Sequence, residues 1–344
     1  MKVAVIGATG AVGREMVRIL EERAFPVDEL VPLASARSAG RLVTFGGAEH
    51  EVRELTVEAA HGVDVAFASA GGTISKEFLP NIAASGTVCI DNSSAFRMDP
   101  GVPLSVPEVN PEALEGWPRP GIIAVPNCTT ITAVLPLGPL HRIARCTSLV
   151  LSSYQAVSGA GWKGAQELAE QVEKLGGDVE SLVRPDPDTL PHGDVFSKPI
   201  AFNVVAKVGE FEAGGFTGEE AKMMAEPRKI LDSPELPVVA TSVRVPVVAG
   251  HSVSMLAEFE RSISVEEARE VLDASPGVRL MDDPHADVFP SPLDAAGGDE
   301  ALVGRIRQVP GRADALALFS CADNLRMGAA LDAIHIAEHL FTRV

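Results

Sequence analysis

The 344-residue sequence predicts an α/β protein in two parts, a parallel sheet first and an α+β half with a mixed sheet second. Three observations lead there. Short apolar runs alternate with amphipathic helix patterns through the first third, the order that builds parallel sheets. A glycine-rich turn joins the first run to the first helix pattern. After residue 128 strand-like runs dominate, with fewer helices between them, which reads as a mixed sheet carrying helices on one face.

Taken in chain order, Val3 to Ile6 is the first strand and Ala11 to about Arg23 the first helix. Leu30 to Ala34 and Val63 to Ala68 read as strands, Ser75 to Ser85 as a helix, and Thr87 to Ile90 and Gly121 to Val125 as further strands. A helix should open at Cys128, because Ile131, Val134, Leu135, Leu137 and Leu140 follow at helical spacing. Thr147 to Val157 is strand-like and Trp162 to Lys174 helical. Gly176 to Pro199, broken by Gly177, Pro185, Pro187 and Pro191, is expected to be a surface insertion with little regular structure. Val238 to Val248 and Ser252 to Phe259 are β-rich, and Ser264-Val265-Glu266-Glu267 reads as a capping box opening a helix. Leu302 to Val309 and Ala315 to Cys321 add two strands. Asn324 to Leu340 is the last helix, with Leu325, Ala329, Ile336 and Leu340 on one face. No internal repeat is present.

A net charge of −18 argues against nucleic acid or an anionic membrane surface as partner, so any anionic substrate needs a locally basic site. Met1 to Gly7 reads as a strand and turn rather than a signal peptide, and no run approaches the roughly 20 apolar residues of a membrane span. Cys89, Cys128, Cys146 and Cys321 lie far apart and match no zinc spacing. No metal is expected, and reduced thiols in a cytoplasmic protein are the simplest reading.

Gly7-Ala8-Thr9-Gly10-Ala11-Val12-Gly13 sits between the first strand and the first helix, where backbone turns tightly, approaches a pyrophosphate and presents a helix N-terminus to it. It reads as the dinucleotide signature of a Rossmann-type domain, the alternative being a plain tight turn between strand and helix. An NAD site usually ends its second strand on Asp or Glu. Here Ser35-Ala36-Arg37-Ser38 follows that strand, which suits a 2′-phosphate, while Asp28 and Glu29 precede it and are poorly placed; NADP is expected.

Cys128, at a strand-to-helix junction, faces unpaired N–H groups and the positive end of a helix dipole, which favour thiolate. A small buried hydrophobe is the alternative. Arg97, in Asp91-Asn92-Ser93-Ser94-Ala95-Phe96-Arg97, is either an anion holder or a solvated side chain. Gln155 can orient a substrate, and Ser158-Gly159 permits close backbone approach. Glu219 and Lys222 share a helix face, either in the site or as a surface ion pair. Arg244, in an apolar β segment, is expected to face a cleft carrying an anion. His251 is either a core histidine or a general base.

In this order the motifs Gly7–Gly13, Ser35–Ser38, Asp91–Arg97, Pro126-Asn127-Cys128-Thr129-Thr130, Gln155–Gly161, Glu219–Lys222, Arg244–Val247 and Gly250-His251 resemble the bacterial aspartate-β-semialdehyde dehydrogenases end to end. The resemblance implies that NADPH reductively dephosphorylates 4-phospho-aspartate to aspartate semialdehyde through a Cys128 thioester, for lysine, threonine, methionine and isoleucine synthesis. It implies Gln155 as substrate positioner, Glu219 and Arg244 gripping the amino-acid end, Arg97 and Lys222 as a phosphate pocket, and His251 as general acid/base. Cofactor contacts would come from Gly7, Thr9, Gly10, Ala11, Val12, Gly13, Ser35, Arg37, Ser38, Asn92, Ser158, Gly159 and Asn324. It further implies a homodimer, an NADP-binding domain at 1–127, a catalytic and dimerisation domain at 128–321, and a C-terminal helix, 322–344, returning to the first. Two alternatives compete. N-acetyl-γ-glutamyl-phosphate reductase shares the architecture, but has Gly before the cysteine and an aromatic after it, where Asn127 and Thr129 stand here. A catalytically silent NADP-binding sensor would need neither Cys128 nor His251.

Overall fold

A computed structural model describes residues 1–176, 179–186 and 190–342. Gly177 and Pro187 of the insertion, and residues 343 and 344 of the last segment, lie outside the described residues.

The first half contains β1 (Lys2–Ile6), α1 (Ala11–Glu22), β2 (Glu29–Ala34), β3 (Leu42–Phe45), β4 (Ala48–Glu51), β5 (Arg53–Glu54), β6 (Val65–Ala68), α2 (Gly72–Ala84), β7 (Val88–Asp91) and β8 (Gly121–Ala124). Six of these strands form one sheet in the order β5-β2-β1-β6-β7-β8, and every pairing in it is parallel. Both faces are covered, so the strands other than the short edge strand β5 are largely apolar: in β1, Val3 and Val5 enter one core while Ala4 and Ile6 enter another. Strand order reverses between β1 and β6, which opens a crevice at their carboxyl ends. The hairpin β3–β4, turned by Gly46 and Gly47 at φ +60° and +74°, was not anticipated, because its strands are short and largely exposed.

Between the two sheets the chain forms α3 (Cys128–Ala144), buried on nearly every side from Thr129 to Leu140. A helix packed all round has no polar face. There follow β9 (Cys146–Gln155), α4 (Trp162–Leu175), α5 (Val179–Val183), α6 (Gly218–Ile230), β10 (Val238–Arg244), β11 (His251–Phe259), α7 (Val265–Asp273), β12 (Val278–Leu280), α8 (Pro292–Ala295), β13 (Ala301–Val309) and β14 (Arg312–Ala322). The second sheet runs β10-β9-β11-β14-β13-β12, with β10/β9 and β12/β13 parallel and the rest antiparallel.

Three local expectations change. The strand predicted over Thr147 to Val157 stops at Gln155, and Val157–Ala160 winds as a 3₁₀ turn. Among its described residues the insertion carries one short helix, α5. Ser264 accepts from Glu267 N–H, but the Glu267 carboxylate pairs with Arg261 at 2.6 Å instead of closing a capping box. The complete box is at Thr217 and Glu220, which opens α6.

The last segment is not one continuous α-helix. Arg326–Ala330 forms a π turn, with Gly328 N–H bonded to Asp323 O at 2.8 Å, before α9 (Leu331–Phe341). It packs against the first sheet's elements. Arg326 bridges to Glu15 at 3.0 Å and Glu22 at 2.7 Å on α1, Arg23 pairs with Glu338 at 2.7 Å, and Asn92 Nδ2 donates to Ala329 O at 2.8 Å. Among the described residues no helix is long and apolar enough to cross a membrane.

Candidate active site

The glycine turn builds the first wall. Gly7 has φ +87°, and its N–H bonds to Leu33 O at 2.8 Å, tying the turn to the end of β2. A Cβ on Gly13 would land on the Gly7 carbonyl, so α1 packs against the turn only through glycine. Gly10 caps α1 with no side-chain bond, which leaves first-turn N–H groups open to an anion. A cleft of about 580 Å³ lies here, lined by Gly7, Thr9, Gly10, Ser35, Arg37 and Ser38. Glu54 lines it too, beside Ala34 in the β2/β5 register. A cavity of about 340 Å³ continues from Gly10 and Ser69 to Ala11, Val12, Asn92, Arg97, Cys128, Ser158, Gly159 and Asn324. These elements fit a nicotinamide dinucleotide: a cradle that any Cβ would fill, followed by an open helix N-terminus.

Cys128 is the first residue of α3, and Asn127 caps that helix through Oδ1, accepting from Thr129 N–H at 2.9 Å and Thr130 N–H at 3.3 Å. Gly328 of the π turn packs on it: a Cβ there would lie 3.1 Å from Cys128 Cβ. The dipole argument predicted a stabilised thiolate. Burial instead pushes the thiol up to about 11, with Glu219 adding to the rise and Arg97 and Arg244 opposing it. Desolvation removes more stabilisation from the anion than one helix terminus restores.

Helix α6 lays three carboxylate and ammonium groups along one face toward Cys128. Glu219 accepts from Asn127 Nδ2 at 2.9 Å, Gln155 Nε2 at 3.0 Å and Lys222 Nζ at 3.0 Å. Burial would raise its carboxyl, yet Lys222 and the two amides hold it below the ordinary range. Glu226, one further turn along and 1% exposed, was not singled out from the sequence. It accepts from Asn127 N–H at 2.7 Å and from Arg97 Nη1 at 2.9 Å. Its spacing of seven from Glu219 on one helix face was the available signal. Arg97 is buried, not solvated, and also donates to Val125 O and Asn92 O at 2.8 and 2.9 Å. Three of its five N–H groups are thus committed, leaving two for a ligand.

Gln155, the last residue of β9, also donates to Thr129 Oγ1, locking its amide beside Cys128's helix. Arg244 ends β10 next to it in register. It is 7% exposed and donates from Nη1 to Ala156 O at 2.6 Å. Among the described residues no carboxylate lies within ion-pair distance of it, an arrangement a buried guanidinium adopts where a ligand supplies the anion. His251 opens β11 and its Nδ1 accepts from Ala156 N–H at 3.0 Å. The neutral ring therefore carries its proton on Nε2, and burial, reinforced by Arg244, pushes its pKa down to about 3. Both groups press on Gly159, where a Cβ would sit 2.9 Å from Arg244 Nη1 and 3.1 Å from His251 Nε2. Asn324 joins the two sides, accepting from Gly250 N–H at 3.0 Å and donating to Ser158 Oγ at 3.0 Å.

Two family models match the chain: "Semialdehyde dehydrogenase, NAD binding domain" over residues 2–117 and "Semialdehyde dehydrogenase, dimerisation domain" over residues 137–327. The aspartate-semialdehyde dehydrogenase of Aquifex aeolicus is 48% identical over 340 residues, covering 98% of this chain and 97% of its own. That of Bacillus subtilis is 43% identical over 342 residues, covering 99% and 97%. Aspartate semialdehyde dehydrogenase II of Vibrio cholerae, solved also in complex with ASA, superposes with a TM-score of 0.90 at 40% identity over 99% of this chain and 98% of its own.

Proposed function

The chain belongs to the aspartate-semialdehyde dehydrogenase family, and on that premise we propose that it converts 4-phospho-aspartate to aspartate semialdehyde, reversibly, with NADP as cofactor. The product feeds lysine, threonine, methionine and isoleucine synthesis. One observation carries the reading: a buried Arg244 without a carboxylate partner, pressed with His251 against a glycine of the cleft that holds Cys128.

Arg244 takes the substrate α-carboxylate, Glu219 the α-amino group, and Gln155 orients the reacting end. Lys222 and the two uncommitted N–H groups of Arg97 hold the phosphate. Cys128 attacks the acyl carbon, the bond to phosphate breaks, and the thiol proton leaves on the phosphate, so the resting site needs no preformed thiolate. The resulting thioester accepts hydride where a carboxylate would not. When bound, the nicotinamide supplies that hydride, or takes it in the reverse direction. Negative charge then develops on the former carbonyl oxygen, and His251 Nε2–H donates to it; as that oxygen re-forms a carbonyl the carbon–sulfur bond breaks, the semialdehyde leaves and Cys128 recovers a proton from solvent. This narrows the acid/base role expected of His251 to that of a donor, because Nδ1 is already occupied by the Ala156 N–H.

Asn92, Ser158, Gly159 and Asn324 face the nicotinamide side, and Gly7 to Gly13 hold the pyrophosphate. Ser35, Arg37 and Ser38 take the 2′-phosphate at the end of β2. We divide the chain into a nucleotide domain at 1–127, a catalytic domain at 128–321, and a returning segment from 322. The open face of the second sheet, where Val239, Val150, Leu256 and Ala317 form one cross-strand row, packs against a second copy. Val150 and Val239 are 44% and 52% exposed there, large apolar groups that a partner would cover. Reduced thiols at all four cysteines suit the cytoplasm.

Nucleotide reduction assayed with aspartate semialdehyde plus phosphate should proceed with NADP in preference to NAD. Turnover only with the N-acetylglutamate semialdehyde would overturn the assignment. In the same assay Arg37→Ala should raise KM for NADP about tenfold and leave KM for NAD unchanged. Unchanged selectivity would place the 2′-phosphate site elsewhere.

A further inference from the structure

The insertion assigned no role from its sequence reaches Arg244. Helix α4 carries Glu167 and Gln171, four apart on one face, 8% and 2% exposed. Two buried polar side chains on an amphipathic helix demand partners. Those partners are the backbone of the insertion's far end. Glu167 accepts from Val195 N–H at 2.7 Å and Phe196 N–H at 3.3 Å, and also from Gln171 Nε2 at 3.3 Å. Gln171 Oε1 accepts from Ile200 N–H at 2.7 Å and Ala201 N–H at 3.1 Å. Gly193 completes the clamp, because a Cβ there would fall on the Glu167 carboxyl.

The clamped segment ends on Arg244 twice. The Phe196 ring lies beside the guanidinium, 5.8 Å from its centroid to Cζ. A few residues later Val205 exchanges both backbone bonds with Arg244, at 2.8 and 2.9 Å. One Nη1 N–H of Arg244 is engaged by Ala156 O, and the ring flanks the planar fork that carries the other four. A cavity of about 470 Å³ lies between Phe196, Lys207 and Arg244.

We propose that Phe196 and Glu167 are positioning residues for substrate binding: Glu167 pins the insertion, and the insertion's Phe196 orients Arg244 for the substrate α-carboxylate. This rests on Arg244 being the carboxylate anchor. A desolvated guanidinium–ring contact corresponds to about tenfold in affinity.

The test compares Phe196→Leu, Phe196→Tyr and Glu167→Gln in the intact enzyme. Phe196→Leu should raise KM for aspartate semialdehyde about tenfold, with KM for phosphate and NADP and the Tm essentially unchanged. Phe196→Tyr, which keeps the ring, should restore most of the loss, and Glu167→Gln should follow Phe196→Leu in direction. With 3-aminopropanal, the same aldehyde lacking the α-carboxylate, kcat/KM should be equal in wild type and Phe196→Leu. If Phe196→Leu and Phe196→Tyr behave alike, or all KM values move together with a falling Tm, the proposal is overturned; the Phe196 pair decides it even if Glu167→Gln fails to fold. An Arg244→Leu variant with unchanged KM would instead overturn the anchor on which it rests.

Discussion

Replacing Cys128 with alanine is expected to abolish turnover of aspartate semialdehyde, by on the order of 10⁴-fold or more, while NADP binding survives. On the proposed thioester route the substitution removes the sulfur that carries the acyl group, yet leaves the glycine cradle and the open α1 terminus intact. The checks are nucleotide reduction with phosphate present and a direct nucleotide titration. Full activity in the variant would refute thioester chemistry. The wild-type thiol adds a pH signature. Burial raises it from the ordinary 9.0 to about 11, so below that value the proton stays on sulfur and the thiolate fraction is small. Alkylation of Cys128 in the free enzyme should therefore accelerate about tenfold per pH unit through the neutral and mildly alkaline range. A rate that levels off near neutral pH would show that the helix terminus outweighs desolvation after all.

Arg244→Leu should lower kcat/KM for aspartate semialdehyde by roughly 10²- to 10³-fold, mostly through KM. The physical reason is asymmetry. A substrate carboxylate entering a buried site sheds its water, and without the guanidinium it faces the Glu219 carboxylate, which burial would neutralise but Lys222 keeps ionised. Steady-state kinetics against the aldehyde, with phosphate and NADP saturating, measures the effect. The loss of a neighbouring cation should also let His251 bind its proton less reluctantly, since Arg244 is one of the causes of its depressed pKa. An upward movement of the His251 titration in the variant, followed by NMR, is the matching observation.

The first sheet was legible because its code is local. Val3 to Ile6, the turn at Gly7 to Gly13 and the helix from Ala11 each announce themselves by period or by glycine, and β1 and α1 form within a residue or two of the expected bounds. Termini were less legible where side chains had competing partners. Ser264-Val265-Glu266-Glu267 looked like a whole capping box, but only its serine half forms, because Arg261 captures Glu267. The π turn at Arg326–Ala330 could not be read from the spacing of Leu325, Ala329, Ile336 and Leu340, because steps of four, seven and four also fit a continuous α-helix.

Residue types with chemistry to offer could be picked out along the chain: a cysteine at a helix start, a histidine and an arginine in an apolar strand, an acid and a lysine three apart. Their ionisation could not. Whether Cys128 is a thiolate depends on how much water its neighbours exclude, and those neighbours come from α6, β9, β10 and the π turn at Gly328. Arg97 could be named as a cation, but only the fold pairs it with Glu226, 129 residues away. Glu226 and Glu167 escaped notice for the same reason: a glutamate on a helix looks solvated until tertiary packing buries it against a specific backbone.

By itself, the sequence determined most of the order of strands and helices, the dinucleotide turn and the candidates for the reacting groups, because period, glycine geometry and functional-group chemistry are properties of short segments. The tertiary structure alone decided which charges meet, which nitrogen of His251 carries the proton and what steadies Arg244. Desolvation and hydrogen-bond partnership are set by residues distant in the chain and adjacent only once it has folded.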